Sequence, residues 1–107
     1  GDPPEDMEAA KTVFARQIGK KFPEISKLEW KDAKVKGAEA SILLPVTLKV
    51  EAGKPAGNEY QYLLVLKGAR LYVLSFSITS SEAAAFPSYR TLVDKIVRTI
   101  EVSDPPP

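Results

Sequence analysis

The feature that most constrains this fold is a dense apolar strand followed at once by an amphipathic helix in the last third of the chain. The strand spans 71–79, and a Ser- and Ala-rich turn leads into a helix that ends near Ile100. Apolar residues recur in this helix with a period of about 3.6, at Phe86, Tyr89, Leu92, Val93, Ile96, Val97 and Ile100. We therefore predict that the helix packs on a sheet through this face.

A second amphipathic helix is predicted near the start of the chain, ending at about Phe22. Its apolar stripe consists of Ala10, Val13, Phe14, Ile18 and Phe22. Asp2 is placed to cap this helix, with Pro3 in the first turn and Glu5 three residues after the cap. Pro23 should stop the helix, because proline removes a backbone donor and clashes with the preceding turn.

Between 27 and 79 the apolar period changes to two, which is typical of strands. We predict four strands, which run from Leu28 to Val35, Ala38 to Glu51, Tyr60 to Leu66 and Leu71 to Thr79. Polar turns separate them at 36–37, 52–58 and 67–70. Pro45 cannot donate to a ladder, so either that edge is locally free or a bulge lies there.

Both sheet faces are apolar near the turn of the last hairpin. Leu63–Leu66 and Leu71–Leu74 are consecutive apolar runs, and burying each Leu or Val contributes about 1.5–3 kcal/mol. Because two striped helices are available, we predict one helix on each face. The predicted fold class is α+β, a four-stranded antiparallel meander in the order α-β-β-β-β-α.

The chain of 107 residues has the usual size of one domain. We assign the single α+β domain to residues 5–102. Residues 1–4 are predicted to be a linker or helix cap, and 103–107 a Pro-rich tail or linker. The proline-bearing ends suit a module tethered to something else, and equally suit ordinary helix punctuation.

Cysteine and histidine are both absent from the chain. Disulfides, thiol nucleophiles, Ser-His-Asp triads and histidine-ligated metals are therefore excluded, and we expect no cofactor, no metal site and no catalytic residue. A net charge of +1 gives little support for nucleic-acid binding. Because most charged residues fall in turns, helix ends or polar strand faces, we expect no cleft in which titratable groups converge with strongly shifted pKa values.

A basic cluster lies between Arg16 and Lys36, a segment that contains seven basic and three acidic residues. Within it, Lys20, Lys21 and Lys31 are candidates for binding an acidic protein partner or an anionic lipid headgroup. The competing interpretation is a solvated helix end and edge strand, since lysines also discourage edge-to-edge association.

Trp30, Tyr60 and Tyr62 are candidates for lining a small-ligand cleft, although sheet aromatics more often pack across strands. The five hydroxyl residues between Ser75 and Ser81 lack a histidine that would activate a serine. We interpret that run as strand alternation followed by a helix N-cap.

Several motifs in the second half of the chain carry a family resemblance. They are Glu59–Tyr62 leading into Leu63–Leu66, then Lys67-Gly68, Leu71–Leu74 and the closing segment Val97–Val102. In this order they resemble the PsbP-like superfamily over about residues 5–102. The hairpin that usually opens the family fold has no counterpart before Pro4, and Thr99-Ile100 stands where the family often has Ser-Phe. The resemblance implies a non-enzymatic accessory or binding module of a secreted or envelope-attached bacterial protein, with the periplasm or cell envelope favoured.

Two functions are therefore predicted. The first is a non-enzymatic accessory or protein-interaction domain with an unidentified protein partner, no nucleic acid, and membrane contact only through flanking segments. The second is a small-ligand carrier with a cleft between the sheet and a helix. A closed apolar pocket would favour the carrier, and a flat exposed apolar patch would favour partner binding.

Overall fold

Two helices and a four-stranded antiparallel sheet follow one another in the order α-β-β-β-β-α. The computed structural model describes residues 6–25, 27–48, 57–82 and 84–103. The elements are α1 Met7–Lys21, β1 Lys31–Asp32, β2 Ala40–Leu48, β3 Gly57–Lys67, β4 Arg70–Ser80 and α2 Ala85–Thr99. The strands lie in the sheet in their sequence order, which confirms the predicted α+β meander.

Helix α1 begins later than its sequence pattern predicted. Its N-cap is Asp6, whose Oδ1 accepts a 2.8 Å hydrogen bond from the Ala9 backbone N–H. The predicted cap at Asp2 is wrong, because the backbone of Asp6 is extended and its side chain caps the helix at that point. Asp2 itself lies outside the described residues. Most of the predicted stripe is buried, but Val13 is 48 % exposed, because it lies on the flank of the helix.

The central strand β3 is covered by a different helix on each face. Leu64 packs with the buried face of α1, whereas Leu63 and Val65 pack with the buried face of α2. Successive side chains of a strand point to opposite faces, so the consecutive apolar run of β3 serves both layers. One helix on each face is therefore confirmed.

The first strand is much shorter than predicted, since only Lys31 and Asp32 pair with β2. The Ser41 hydroxyl explains this: it donates to the Ala33 carbonyl and accepts from the Val35 backbone N–H, taking the place of ladder bonds. The predicted strand from Leu28 to Val35 is wrong in its length for this reason.

Pro45 lies in a part of β2 that only β3 borders. The pairing of β1 with β2 ends at Leu43, whereas Pro45 stands opposite Gln61 in a continuous register with β3. The locally free edge is therefore the correct alternative of the two that the sequence left open.

Two turns require unusual backbone. Gly68 and Ala69 both have positive φ, as the hairpin turn between β3 and β4 demands. At Gly37, φ is +85°, and a Cβ would overlap the carbonyl oxygen of Val102. This close approach lets the Val102 backbone N–H donate a 2.9 Å bond to the Lys36 carbonyl, which ties the segment after α2 to the loop between β1 and β2.

Several predicted loops and tails fall partly outside the described residues. These are the linker 1–4, residues 49–56 of the second strand and its loop, and tail residues 104–107. Gly57 and Asn58, predicted as loop, belong to β3.

Helix α2 buries a narrower face than the sequence predicted. Tyr89, Val93 and Val97 are buried, but Leu92 is 56 % and Ile96 36 % exposed. The prediction that all seven stripe residues contact the sheet is therefore wrong, because the sheet does not extend far enough under the flank that carries these two side chains.

The start of α2 also differs from prediction. Its N-cap is Ala84, which makes no side-chain capping bond. Ser80 instead accepts a 3.0 Å bond from the Glu82 backbone N–H, in the turn that precedes the helix. The predicted hydroxyl N-cap of this helix is therefore wrong.

Candidate functional site

The aromatic candidates Trp30, Tyr60 and Tyr62 lie together on the α1 face of the sheet. Tyr60 and Tyr62 stack with centroids 6.3 Å apart, and Phe14 packs edge-on against Tyr62 at 5.2 Å and against Trp30 at 6.3 Å. Aromatic pairs at these separations stabilise a core beyond their buried area. The ring faces are therefore occupied by packing beneath α1.

The lysine candidates are divided between the two faces of the sheet. Lys20 and Lys21 end α1, and the Lys21 ammonium lies 5.6 Å from the ring centroid of Tyr60. Lys31 stands opposite Leu43 in the β1–β2 pair, and Leu43 belongs to the core beneath α2. The structure thus joins Lys21 to the aromatic cluster and places Lys31 on the other side.

A polar cleft of about 360 Å³ opens between α2 and the β1–β2 edge. Its titratable lining residues are Lys27, Glu29, Lys31, Glu59, Arg90 and Asp94. The three cations and three carboxylates balance, so the cleft suits a small polar molecule carrying both signs of charge better than a simple anion.

Glu59 is the buried centre of this cleft, with a side chain only 2 % exposed. Arg90 Nε donates to both carboxylate oxygens, at 2.9 and 3.1 Å, and Thr47 Oγ1 donates to Oε1 at 3.1 Å. The Arg90 side chain is half exposed, so Glu59 fixes a guanidinium at the wall of the cleft. Glu59 is thus an exception to the predicted exposure of most charged residues.

Tyr89 lies next to this ion pair. Burial, and secondarily the Glu59 carboxylate, raise the pKa of Tyr89 to about 12. The nearby backbone of Gln61 lowers the pKa of Tyr89 and so offsets part of this rise. The Tyr89 hydroxyl nevertheless makes no hydrogen bond to any described residue. The phenol therefore stays neutral beside the Glu59 carboxylate.

Sequence reasoning missed both Glu59 and Arg90 as site residues. A signal was present, because Glu59 shares its strand parity with Leu63 and Val65, which face the core. Arg90 follows Tyr89 on the edge of the buried helix stripe. A carboxylate on an apolar strand face predicts a cationic partner on the covering helix.

A second surface runs along the outer edge of β4. No described strand pairs with that edge, and the sequence from Leu71 to Ser80 contains no charged residue and no proline. Tyr72 and Val73 are 38 % and 43 % exposed there. The predicted burial of the Leu71–Leu74 run on both faces is therefore wrong at these two residues, because neither helix reaches over the edge.

One flank of α2 continues this edge. Arg90 and Asp94 line the cleft beside β2, so at about 100° per residue the opposite flank points toward β4. That flank carries the uncharged residues Ala85, Ser88, Leu92, Ile96 and Thr99, and Lys95 borders it on the solvent side. We call the outer edge of Leu71–Ser80 together with this flank the β4 edge surface.

Comparisons with protein families, curated proteins and solved structures find no significant match to this chain. The resemblance to the PsbP-like superfamily therefore stays a prediction. Among the described residues, neither helix has the length and apolar character needed to cross a membrane. The same part of the chain contains no grouping of acidic residues suited to holding a metal ion.

Proposed function

We propose that this chain is a non-enzymatic protein-interaction domain that binds its partner along the β4 edge surface. The observation that carries the proposal is the outer edge of β4, with which no strand among the described residues pairs. It spans the eleven residues Arg70–Ser80 and carries a charge only at its first position. Such an edge presents a row of backbone donors and acceptors to which another strand can add.

The opposite edge of the sheet supports this assignment by contrast. There β1 has only two residues, Lys31 and Asp32, and both are charged and exposed. Short length and charge are the usual protection of a strand edge against pairing. The free part of the β2 edge beyond β1 is interrupted by Pro45, which also hinders pairing. Among the strand edges that the structure describes, only that of β4 lacks short length, charge and proline, and the half-exposed Val73 lies along it.

A photo-crosslinking experiment tests the proposed function. The crosslinker p-benzoylphenylalanine replaces Val73 on the β4 edge, or Gln17 on the exposed side of α1 as the control. We expect a protein adduct from Val73 and none from Gln17. Equal labelling at both positions, or no adduct from Val73, would refute the proposed function.

The compartment and family assignment of this proposal rest on the sequence resemblance alone. An accessory protein of the bacterial envelope or secreted space, of PsbP-like type, remains our proposal for the chain. Localising the full gene product by cell fractionation tests it, and recovery in the cytosolic fraction alone would contradict it.

A small-ligand carrier is the second candidate function, and the polar cleft around Glu59 and Arg90 favours it. Native mass spectrometry of gently purified protein would reveal a bound molecule above the 11.7 kDa chain mass. For a cleft ligand, Arg90→Met should lose that added mass while Arg98→Met keeps it. A bare chain in every preparation would contradict the carrier.

A further inference from the structure

We infer that the partner of the β4 edge surface is a second copy of this chain, joined by antiparallel β4–β4 pairing about a two-fold axis normal to the sheet. This inference rests on the proposed function and names its partner. The axis keeps each sheet face on its own side, so the α2 helices of both copies meet on one face. The result is a continuous sheet with the two β4 strands at its centre.

The helix flank distinguishes a second copy from a single extended peptide. A lone strand satisfies the backbone groups along the edge but lies in the sheet layer, about 10 Å below the helix axis. Leu92 and Ile96 would then stay exposed. A second copy supplies both layers at once, because its own α2 brings the same two side chains to the axis.

Charge also favours self-association of this surface. A two-fold axis brings each residue close to its own symmetry mate or near neighbours, so a charged surface of one sign would repel itself. The edge from Leu71 to Ser80 and the flank with Leu92 and Ile96 carry no charge. Of the charged residues of α2, Arg90, Asp94 and Arg98 lie toward the β1–β2 side, whereas Lys95 borders the flank on its solvent side.

The available area matches what a stable dimer needs. The eleven residues of β4 span about 35 Å, and the sheet and helix layers together are about 20 Å deep. Because the fifteen residues of α2 span only about 22 Å, the strip is roughly 600 Å² per copy, at the lower end of the roughly 600–1,000 Å² per partner of standard specific interfaces.

Symmetry restricts the register of the pairing. Residues directly opposite in antiparallel strands share a face, so the axis must pass through a single residue near the middle of β4. An axis at Ser75 places Leu74 opposite Phe76 of the second copy. An axis at Phe76 instead places Leu74 opposite Ile78 of the second copy, and Ser75 opposite its Ser77.

Sedimentation equilibrium on the full chain tests the dimer. We expect the wild-type protein to reach twice the 11.7 kDa chain mass. Ser75→Lys/Ser77→Lys places lysines opposite one another for an axis at 75, 76 or 77, and should weaken dimerisation by about tenfold or more. Leu92→Lys should weaken it similarly, because a charge replaces an apolar contact at the axis.

Matched variants separate the surface from the added charge. Gln17→Lys/Thr91→Lys adds the same charge as the strand variant, and Thr91→Lys alone matches Leu92→Lys on the same helix. Both controls should dimerise like the wild type. Circular dichroism at low concentration should show that all variants remain folded, since the replaced residues are exposed.

The outcomes separate this inference from the proposed function. A wild-type chain that stays monomeric at the highest concentration measured, or a dimer unaffected by both edge variants, overturns the second copy as the partner. If the Val73 crosslinker then captures a different protein, the interaction domain stands with another partner. If it captures nothing, both proposals fail.

Discussion

The carboxylate of Glu59 on β3 is held by Arg90 of α2, whose Nε reaches both of its oxygens at 2.9 and 3.1 Å. One partner is almost fully buried and the other half exposed. This ion pair joins α2 to the central strand at the base of the polar cleft. Its strength depends on burial, since exposed ion pairs contribute little.

Replacing Arg90 should therefore destabilise the fold. Arg90→Met leaves the Glu59 carboxylate buried with Thr47 as its remaining donor, and we expect a loss of about 1–3 kcal/mol in unfolding free energy. Adding Glu59→Gln should recover part of it, giving a coupling above about 0.5 kcal/mol in a double-mutant cycle measured by urea denaturation. Arg98→Met is the control; independent, additive losses would contradict a stabilising pair.

Two leucines of equal chemistry test which apolar residues form the core. Leu63 is fully buried, whereas Leu92 is 56 % exposed. Leu63→Ala should cost about 3–5 kcal/mol through lost contacts and a cavity, and Leu92→Ala below about 1 kcal/mol in the dilute monomer. Urea denaturation at low protein concentration measures both, and comparable losses would show that the Leu92 flank is packed.

Gly37 and Gly68 both have positive φ but differ in the space around them. Gly37→Ala should lower the unfolding free energy by more than about 2 kcal/mol. The new Cβ would overlap the Val102 backbone, and the left-handed conformation adds a further penalty for alanine. Gly68→Ala, with nothing close to its Cβ, should cost only about 1 kcal/mol. Thermal unfolding of the pair measures the difference, and equal losses would argue against the Lys36–Val102 contact.

Tyr89 gives the fold a pH dependence in alkaline solution. Its pKa is raised from 10.0 to about 12 in the folded state, so the folded chain retains a proton there that the unfolded chain loses. Stability from this group is present below pH 10 and is lost as pH rises from 10 toward 12.

Tyr89→Phe isolates this effect from other groups that titrate at high pH. Because the hydroxyl has no described hydrogen-bond partner, the variant should differ from wild type by less than about 1 kcal/mol at pH 7. Its denaturation midpoint should fall less between pH 10 and 12. Parallel decreases in both proteins would show that Tyr89 ionises normally.

Neighbouring lysines at the end of α1 should respond differently to charge reversal. Lys21 lies 5.4 Å from the Phe22 ring centroid and 5.6 Å from that of Tyr60, whereas Lys20 has no aromatic contact within the described residues. Lys21→Glu should therefore lower the unfolding free energy by about 0.5–1 kcal/mol more than Lys20→Glu. Equal losses of stability in thermal melts would indicate that both lysines act only through the helix dipole.

Adding Lys31→Glu to these reversals tests the basic cluster as a binding surface. If the cluster binds anionic lipid, the affinity of the protein for vesicles containing phosphatidylserine should fall in the variant with all three lysines reversed. The affinity of the wild type should also fall as the salt concentration rises. Because Lys31 lies on the other sheet face from Lys21, we expect Lys31→Glu alone to have the smaller effect. Vesicle binding unchanged by all three reversals would remove the cluster as a site.

Much of the fold was predictable because its signals are local. The alternation from Ile42 to Val46 and the four-residue spacing of Phe14 and Ile18 each assign a face without any knowledge of their partners. The sites were less predictable. Glu59 needed the position of Arg90, which lies 31 residues later in sequence, and the short β1 needed the Ser41 hydroxyl to take over its backbone bonds.

The sequence by itself determined the layers: an alternating sheet with apolar residues on both faces and two striped helices to cover them. Only the tertiary structure decided where α2 lies across that sheet. A periodic apolar stripe indicates which side chains of a helix can be buried, but the extent of the sheet beneath the helix determines how many of them are buried. Here the strand edge ends before the helix flank does, so Leu92 and Ile96 remain exposed while Glu59, on the cleft side, is buried against Arg90.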